Sequence, residues 1–179
     1  MKDKNAYQTF GVPVTLGAFK GRVHPDYNTP EFLRALSRGR ALVSGPAARV
    51  LLDKRNLVAA VSIPVSGPPQ AASAVDAVVK EFRASGFKKI KTLVVPGKAA
   101  KAWRGAAACL VRRVPTPLPL AYLERRERGF VVESYFVAAR IAAAPEVRSL
   151  LRTLPPEDLS RLLAALARFL VFAHNQGIL

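Results

Sequence analysis

The sequence is poor in residues that staple or metallate a small fold. Among 179 residues there is one cysteine, Cys109, which excludes an internal disulfide and any multi-cysteine metal site. The two histidines, His24 and His174, stand far apart and make no metal pair, so no structural zinc is indicated. Acids are scarce too, 12 against 28 lysines and arginines, for a formal charge of +16. No apolar run reaches the length of a membrane span before an arginine interrupts it. The first twenty residues are broken by Lys2, Asp3, Lys4, Asn5, Gly11, Pro13, Gly17 and Lys20, and lack the apolar stretch of a signal peptide. Internal repeats are absent, and mild alanine enrichment is the only compositional bias. These absences point to a cytoplasmic chain whose basic face could lie peripherally on the inner membrane.

What is present suits a packed fold. Half of the residues are hydrophobic and 22% are charged, which supports a core and argues against wholesale disorder. The length suits one domain or two small lobes. A pI near 10.9 calls for an anionic partner: nucleotide phosphate, nucleic acid or an anionic glycolipid surface.

Along the chain, residues 1–28 are polar and punctuated and predict an irregular arm. Thr29-Pro30-Glu31 has the form of a helix start, with a threonine cap, a first-turn proline and an acid at the positive end of the dipole. That helix should run to about Ser37 and stop at Gly39. Ala41–Val43, Arg49–Leu52, Leu57–Val65 and Val75–Phe82 are short branched runs separated by turn residues, the pattern of consecutive antiparallel strands. Pro68–Ser73 reads as a loop. Over residues 98–112, Ala99, Trp103, Ala106, Ala107 and Leu110 share one face of a helix, with Lys98, Lys101, Arg104 and Arg112 largely elsewhere. The prolines of Val114–Pro119 force extended chain. Leu120–Leu123 and Phe130–Val137 read as two more strands, with Glu124–Gly129 as the charged turn. Pro145–Leu154 predicts a short helix or turn. A longer one opens at Pro155-Pro156-Glu157-Asp158, with Leu159, Leu162, Leu163, Leu166, Leu170 and Ala173 as its buried stripe and Asn175 and Gly177 as terminators. The end at Leu179, just behind a helix cap, suggests that something normally follows.

Strands, a lysine-bearing strand, a basic helix, two strands, a linker and a long helix follow one another in the order of a protein-kinase-like small lobe and the first helices of the large lobe. In such a fold the third strand carries a lysine on the nucleotide's α- and β-phosphates. Val78-Val79-Lys80-Glu81-Phe82 supplies a lysine on a predicted strand, and a compact ammonium there suits a phosphate clamp. More specifically, Pro96-Gly97-Lys98-Ala99-Ala100-Lys101-Ala102-Trp103-Arg104-Gly105-Ala106, Arg113-Val114-Pro115-Thr116-Pro117-Leu118-Pro119-Leu120-Ala121, Glu124-Arg125-Arg126 and Glu133-Ser134-Tyr135-Phe136 resemble the lipopolysaccharide kinase (Kdo/WaaP) family. The resemblance covers about residues 76–137 and continues more weakly to Leu179 through Leu166-Ala167-Arg168 and Ala173–Ile178. Together with the residue reading it gives an α+β chain: an irregular arm and short helix at 1–39, which match no family pattern, then, as the resemblance implies, a kinase-like lobe at 40–137 and a hinge and helical segment of a large lobe at 138–179. It also implies ATP, a divalent metal such as magnesium, and transfer of phosphate to a sugar of the lipopolysaccharide core.

Departures from the family pattern are equally specific. The catalytic loop with its His-x-Asp, and the metal-binding aspartate beyond, have no counterpart in these residues, so the chain by itself is expected to be catalytically inactive. The helix at 98–112 has no glutamate to pair with Lys80, and Glu81 should point to the opposite sheet face. Ser44-Gly45-Pro46-Ala47-Ala48 is the candidate phosphate-covering turn, on the strength of Gly45 alone. Between Glu81 and Glu124 there is no acid, while Arg83, Lys88, Lys89, Lys91, Lys98, Lys101, Arg104, Arg112 and Arg113 supply nine cations. The tract is read as an anion-binding surface, with Lys88, Lys89, Lys91, Lys98, Lys101 and Arg104 as its candidates and a lipopolysaccharide core or anionic lipid as partner. A nucleic-acid-binding module is the competing reading, with Trp103 and Phe87 as stackers, although the spacing places Trp103 on the apolar helix face. A pseudokinase-like nucleotide-binding scaffold is the third. Cys109 reads as a small buried hydrophobe, His174 as a helix-terminal cation, and His24 carries no motif.

Overall fold

A computed structural model describes residues 6–66, 73–83, 95–142 and 144–178. Its centre is a seven-stranded antiparallel sheet in the order β1-β2-β6-β7-β5-β4-β3. The strands are β1 (Val12–Leu16), β2 (Phe19–Val23), β3 (Arg49–Asp53), β4 (Leu57–Pro64), β5 (Ala74–Glu81), β6 (Pro119–Glu127) and β7 (Phe130–Ala139). The helices are α1 (Ala6–Thr9), α2 (Pro30–Ser37), α3 (Arg40–Ser44), α4 (Lys98–Val111), α5 (Val147–Thr153) and α6 (Pro156–Asn175). The α+β class with an antiparallel sheet is thus as expected.

Local signals account for much of this. Thr29 caps α2, its Oγ1 accepting the Phe32 amide at 3.4 Å. Strand β5 alternates, with Ala77, Val79 and Glu81 buried on one face and Val78 and Lys80 half-buried on the other. The β6–β7 hairpin closes through Arg128 and Gly129, both at positive φ (49° and 84°), so the second position suits glycine.

The core lies on one face of the sheet. Phe32, Ala35, Leu36 and Val43 of α2 and α3 cover Ala59, Val61, Ala77, Val79, Leu123, Tyr135 and Val137. On the opposite face α4 packs over β6 and β7, sealing Trp103 at 1% exposure.

Four expectations are corrected. Residues 12–23 are not an irregular arm. They form the β1–β2 hairpin, and β2 pairs with β6 from Phe19–Arg125 to Val23–Ala121. The pairing is intimate, because a Cβ on Gly21 would meet the Tyr122 carbonyl oxygen at 1.8 Å. Ala41–Val43 is helix rather than strand, since Val43 must reach the core from the same side as α2. The charged stretch Glu124–Glu127 continues β6, and only Arg128 and Gly129 make the turn. The apolar stripe of α6 is not buried. Leu163 and Leu170 are 49% and 52% exposed, Leu159, Leu162 and Leu166 are half-buried, and Ala173 alone of the stripe is buried. The expected loop at 68–73 falls outside the described residues except for Ser73. Strand β7 runs to Ala139, two residues into the segment expected from 138 to form the hinge.

Candidate functional site

Strand register sets the site. Val58 of β4 pairs with Lys80, Lys80 with Phe136 of β7, Phe136 with Tyr122 of β6, and Tyr122 with Arg22 of β2. Directly paired residues of an antiparallel sheet share a face. These five side chains therefore form one cross-strand row on the face that carries α4. At its β3 end, Leu52 pairs with Val58 and is 44% exposed.

Lys80 is half-buried, and its ammonium lies 5.0 Å from the centroid of the Phe82 ring. No carboxylate among the described residues pairs with it. Glu81 points to the other face, as alternation requires, and is buried there at 7% exposure, with Arg83 Nε 3.6 Å from its Oε2. Arg83 also clamps the β3–β4 turn, donating to Asp53 Oδ1 at 2.5 Å and to the Lys54 carbonyl at 3.5 Å. That turn, Asp53–Asn56, is the one beside Lys80. It has no glycine. Gly45 instead ends α3, ahead of β3, where its amide donates to the Ala41 carbonyl.

The motif residues Glu124 and Ser134 have a structural task. The Ser134 hydroxyl accepts the Ala99 amide at 3.3 Å, and Glu124 Oε1 accepts the Ala100 amide at 3.5 Å. Two sheet side chains thus satisfy amides in the first turn of α4, and the carboxylate sits at the positive end of the dipole. A helix with no side-chain cap of its own is capped from the sheet. Glu133 serves the other face, accepting from Arg125 Nε at 2.8 Å and from the Tyr135 hydroxyl at 2.6 Å.

Of the expected anion-binding surface, Lys98, Lys101 and Arg104 are exposed along α4, and Lys88, Lys89, Lys91 and Phe87 lie outside the described residues. Trp103 is core, packed against Phe10 (5.4 Å between ring centroids) and Tyr122 (5.7 Å). His24 caps the turn at Pro25–Tyr27, its Nδ1 accepting the Asp26 amide at 3.3 Å. Cys109 is half-buried, and burial pushes its thiol pKa up. His174 is exposed at the end of α6.

Sequence reasoning overlooked a cavity of about 710 Å³ between β1–β2, β6 and the start of α4. Lys20, Arg22, Arg104 and Arg126 line it, with Tyr122 and Glu124. Lys20 and Arg22 belong to the segment read as an arm, and Arg126 to the segment read as a turn. Alternation along β2, with Phe19 and Val23 buried and Lys20 exposed, was the signal that could have found them.

No family model, curated protein or solved structure matches the chain.

Proposed function

We propose that this chain is the nucleotide-contacting part of a kinase-like phosphotransferase, in which Lys80 holds the α- and β-phosphates of the nucleotide. The observation that carries the reading is the place of Lys80: mid-sheet, on the α4 face, half-buried, and without a carboxylate partner among the described residues. A cation kept partly dry and unpaired on a rigid strand is suited to an incoming anion. Leu52, Val58 and Phe136 beside it in the row form an apolar floor on which a base can lie. The element order supports the same reading: β3–β4–β5 precede the basic helix α4, β6 and β7 follow, then the linker and α6.

ATP would supply the transferable phosphoryl group. Lys80 would orient its phosphates, and the apolar floor would exclude water from the base. The described residues do not fit a divalent metal, since no group of three or more His, Cys, Asp or Glu among them could hold one. The role given to Lys80 is therefore binding and orientation, and this chain is expected to bind nucleotide without turnover. The acceptor, a sugar of the lipopolysaccharide core, is proposed on the resemblance of residues 76–137 alone.

The test is calorimetric titration of the full chain with ATP and ADP. Saturable binding should weaken at least tenfold in Lys80→Ala. Absence of binding, or binding indifferent to Lys80→Ala, overturns the reading. A nucleic-acid module is disfavoured by the burial of Trp103, which removes the one described stacker proposed for it. Among the described residues no helix is long and apolar enough to cross a membrane. The exposed Lys98 and Lys101 are proposed to face an anionic lipid or glycolipid surface.

A further inference from the structure

We propose that the cavity between the β1–β2 hairpin, β6 and α4 is a second binding site, one for a compact polyanion of the diphosphate class. The site is independent of the nucleotide reading. Lys80 lies two strands, roughly 10 Å, from Tyr122 along the row, and α4 packs over β6 and β7 between them.

Three elements supply the cations: Lys20 and Arg22 come from β2, Arg126 from β6 and Arg104 from α4. Against them stands one carboxylate, Glu124, which leaves the walls a surplus of three positive charges. Glu124 is itself committed, accepting the Ala100 amide and lying 3.4 Å from Arg126 Nη2. Gathering like charges around one concave volume costs self-repulsion in the free protein, which a bound anion relieves.

The cations divide into two kinds. Arg22 is held in place, its Nη1 donating to the carbonyls of Phe10 (3.0 Å) and Gly11 (3.3 Å). Arg126 is held by Glu124 and by the Gly129 carbonyl at 3.0 Å. Two guanidiniums are thus preorganised at the walls of the cavity. Lys20 and Arg104 are exposed and have no carboxylate partner among the described residues, so they can close on a ligand from the rim. The half-buried Tyr122 hydroxyl stands among these charges: burial and Glu124 raise its pKa, while Arg22, Arg104 and Arg126 act in the opposite sense. It remains a neutral donor at physiological pH.

Volume bounds the ligand, and charge selects its class. About 710 Å³ is within the range of small-molecule sites. A surplus of three charges matches pyrophosphate better than a monoanion.

Sodium pyrophosphate is the probe, titrated into the full chain at low ionic strength by calorimetry. One saturable site is expected. Lys20→Gln combined with Arg104→Gln should weaken it at least tenfold; both side chains are exposed, so the fold is retained. Arg148→Gln combined with Arg168→Gln removes the same charge from α5 and α6 and should change binding by less than twofold. Lys80→Ala should leave pyrophosphate binding intact while weakening ATP, which separates failure of this proposal from failure of the nucleotide reading. The proposal is overturned if no saturable site is found, if both double variants weaken binding equally, or if Lys80→Ala alone abolishes it. Displacement of pyrophosphate by a short single-stranded oligonucleotide that binds more tightly would likewise overturn it, by assigning the cavity to a polymer.

Discussion

On the sheet face under α2 and α3, cations are answered within the fold. Arg125 is bound by Glu133 and Glu127, and Arg83 by Asp53 and Glu81. On the face under α4, Lys20, Lys80 and Arg104 have no carboxylate among the described residues, and the acid that is there, Glu124, is spent on the helix terminus and Arg126. Both faces are built from the same strands, so composition does not explain the difference. Alternation does: Glu81 and Lys80 are neighbours in sequence and fall on opposite sides. The lesson is that an unpaired cation on one face of a sheet becomes informative when Arg83 and Arg125 on the opposite face are paired. The first face pairs its cations internally, and the second carries the unpaired ones on which both proposals rest.

The largest expected effect tests what holds the open face together. Trp103 is the largest fully buried side chain among the described residues, so Trp103→Ala should cost about 3–5 kcal/mol, read as a lowered urea midpoint. Leu170→Ala on the exposed stripe of α6 should change stability by less than about 0.5 kcal/mol in the same assay. Equal effects would remove the distinction between packed and unpacked apolar residues.

Gly21→Ala comes next. A methyl 1.8 Å from the Tyr122 carbonyl oxygen cannot be accommodated without separating β2 from β6. The expected cost is about 1–3 kcal/mol, together with loss of pyrophosphate binding, because Lys20 and Arg22 leave with the hairpin. Retained binding would show that the hairpin does not build the cavity.

A smaller effect probes the paired face. The Tyr135 pKa is raised far above its ordinary 10.0 by burial, then by the Glu133 hydrogen bond and charge, then by the charge of Glu81. The folded chain keeps its proton at a pH where the unfolded chain loses it. This stability is therefore fully present below pH 10 and is lost as the pH rises beyond it. Tyr135→Phe should cost about 1 kcal/mol near neutrality and flatten the alkaline fall in midpoint. An unchanged alkaline profile would mean that Tyr135 is not the group responsible.

Smallest of all should be the stability effect of Lys80→Ala, less than about 0.5 kcal/mol, beside a tenfold or greater loss of nucleotide affinity. A large destabilisation would move Lys80 from the open class to the paired one and sharpen the comparison against the present reading.

How much was legible follows from the range of each interaction. The start of α2 was readable because Thr29, Pro30 and Glu31 act within one turn. The opposed faces of Lys80 and Glu81 were readable because strand period is local. Strand β2 was missed, since Phe19-Lys20-Gly21-Arg22-Val23 is short, carries an internal glycine and is stabilised by pairing with β6 a hundred residues away. Glu124 looked like a turn residue because nothing near it in sequence tells of the Ala100 amide it accepts. The exposure of the α6 stripe is not legible in the sequence, because periodicity records which residues share a side and is silent on whether anything covers it.

By itself the sequence determined the surplus of positive charge, the acid-free tract, the caps and periods of the helices, and the lysine on a strand. All of these depend on composition or on neighbours within a few residues. Tertiary structure alone decided that Lys20, Arg22, Arg104 and Arg126 share one cavity, that Glu124 and Ser134 cap α4, and that Trp103 is core. Those outcomes depend on cross-strand register and on which helix lies on which face, and register is set by the burial of the whole sheet rather than by any segment of it.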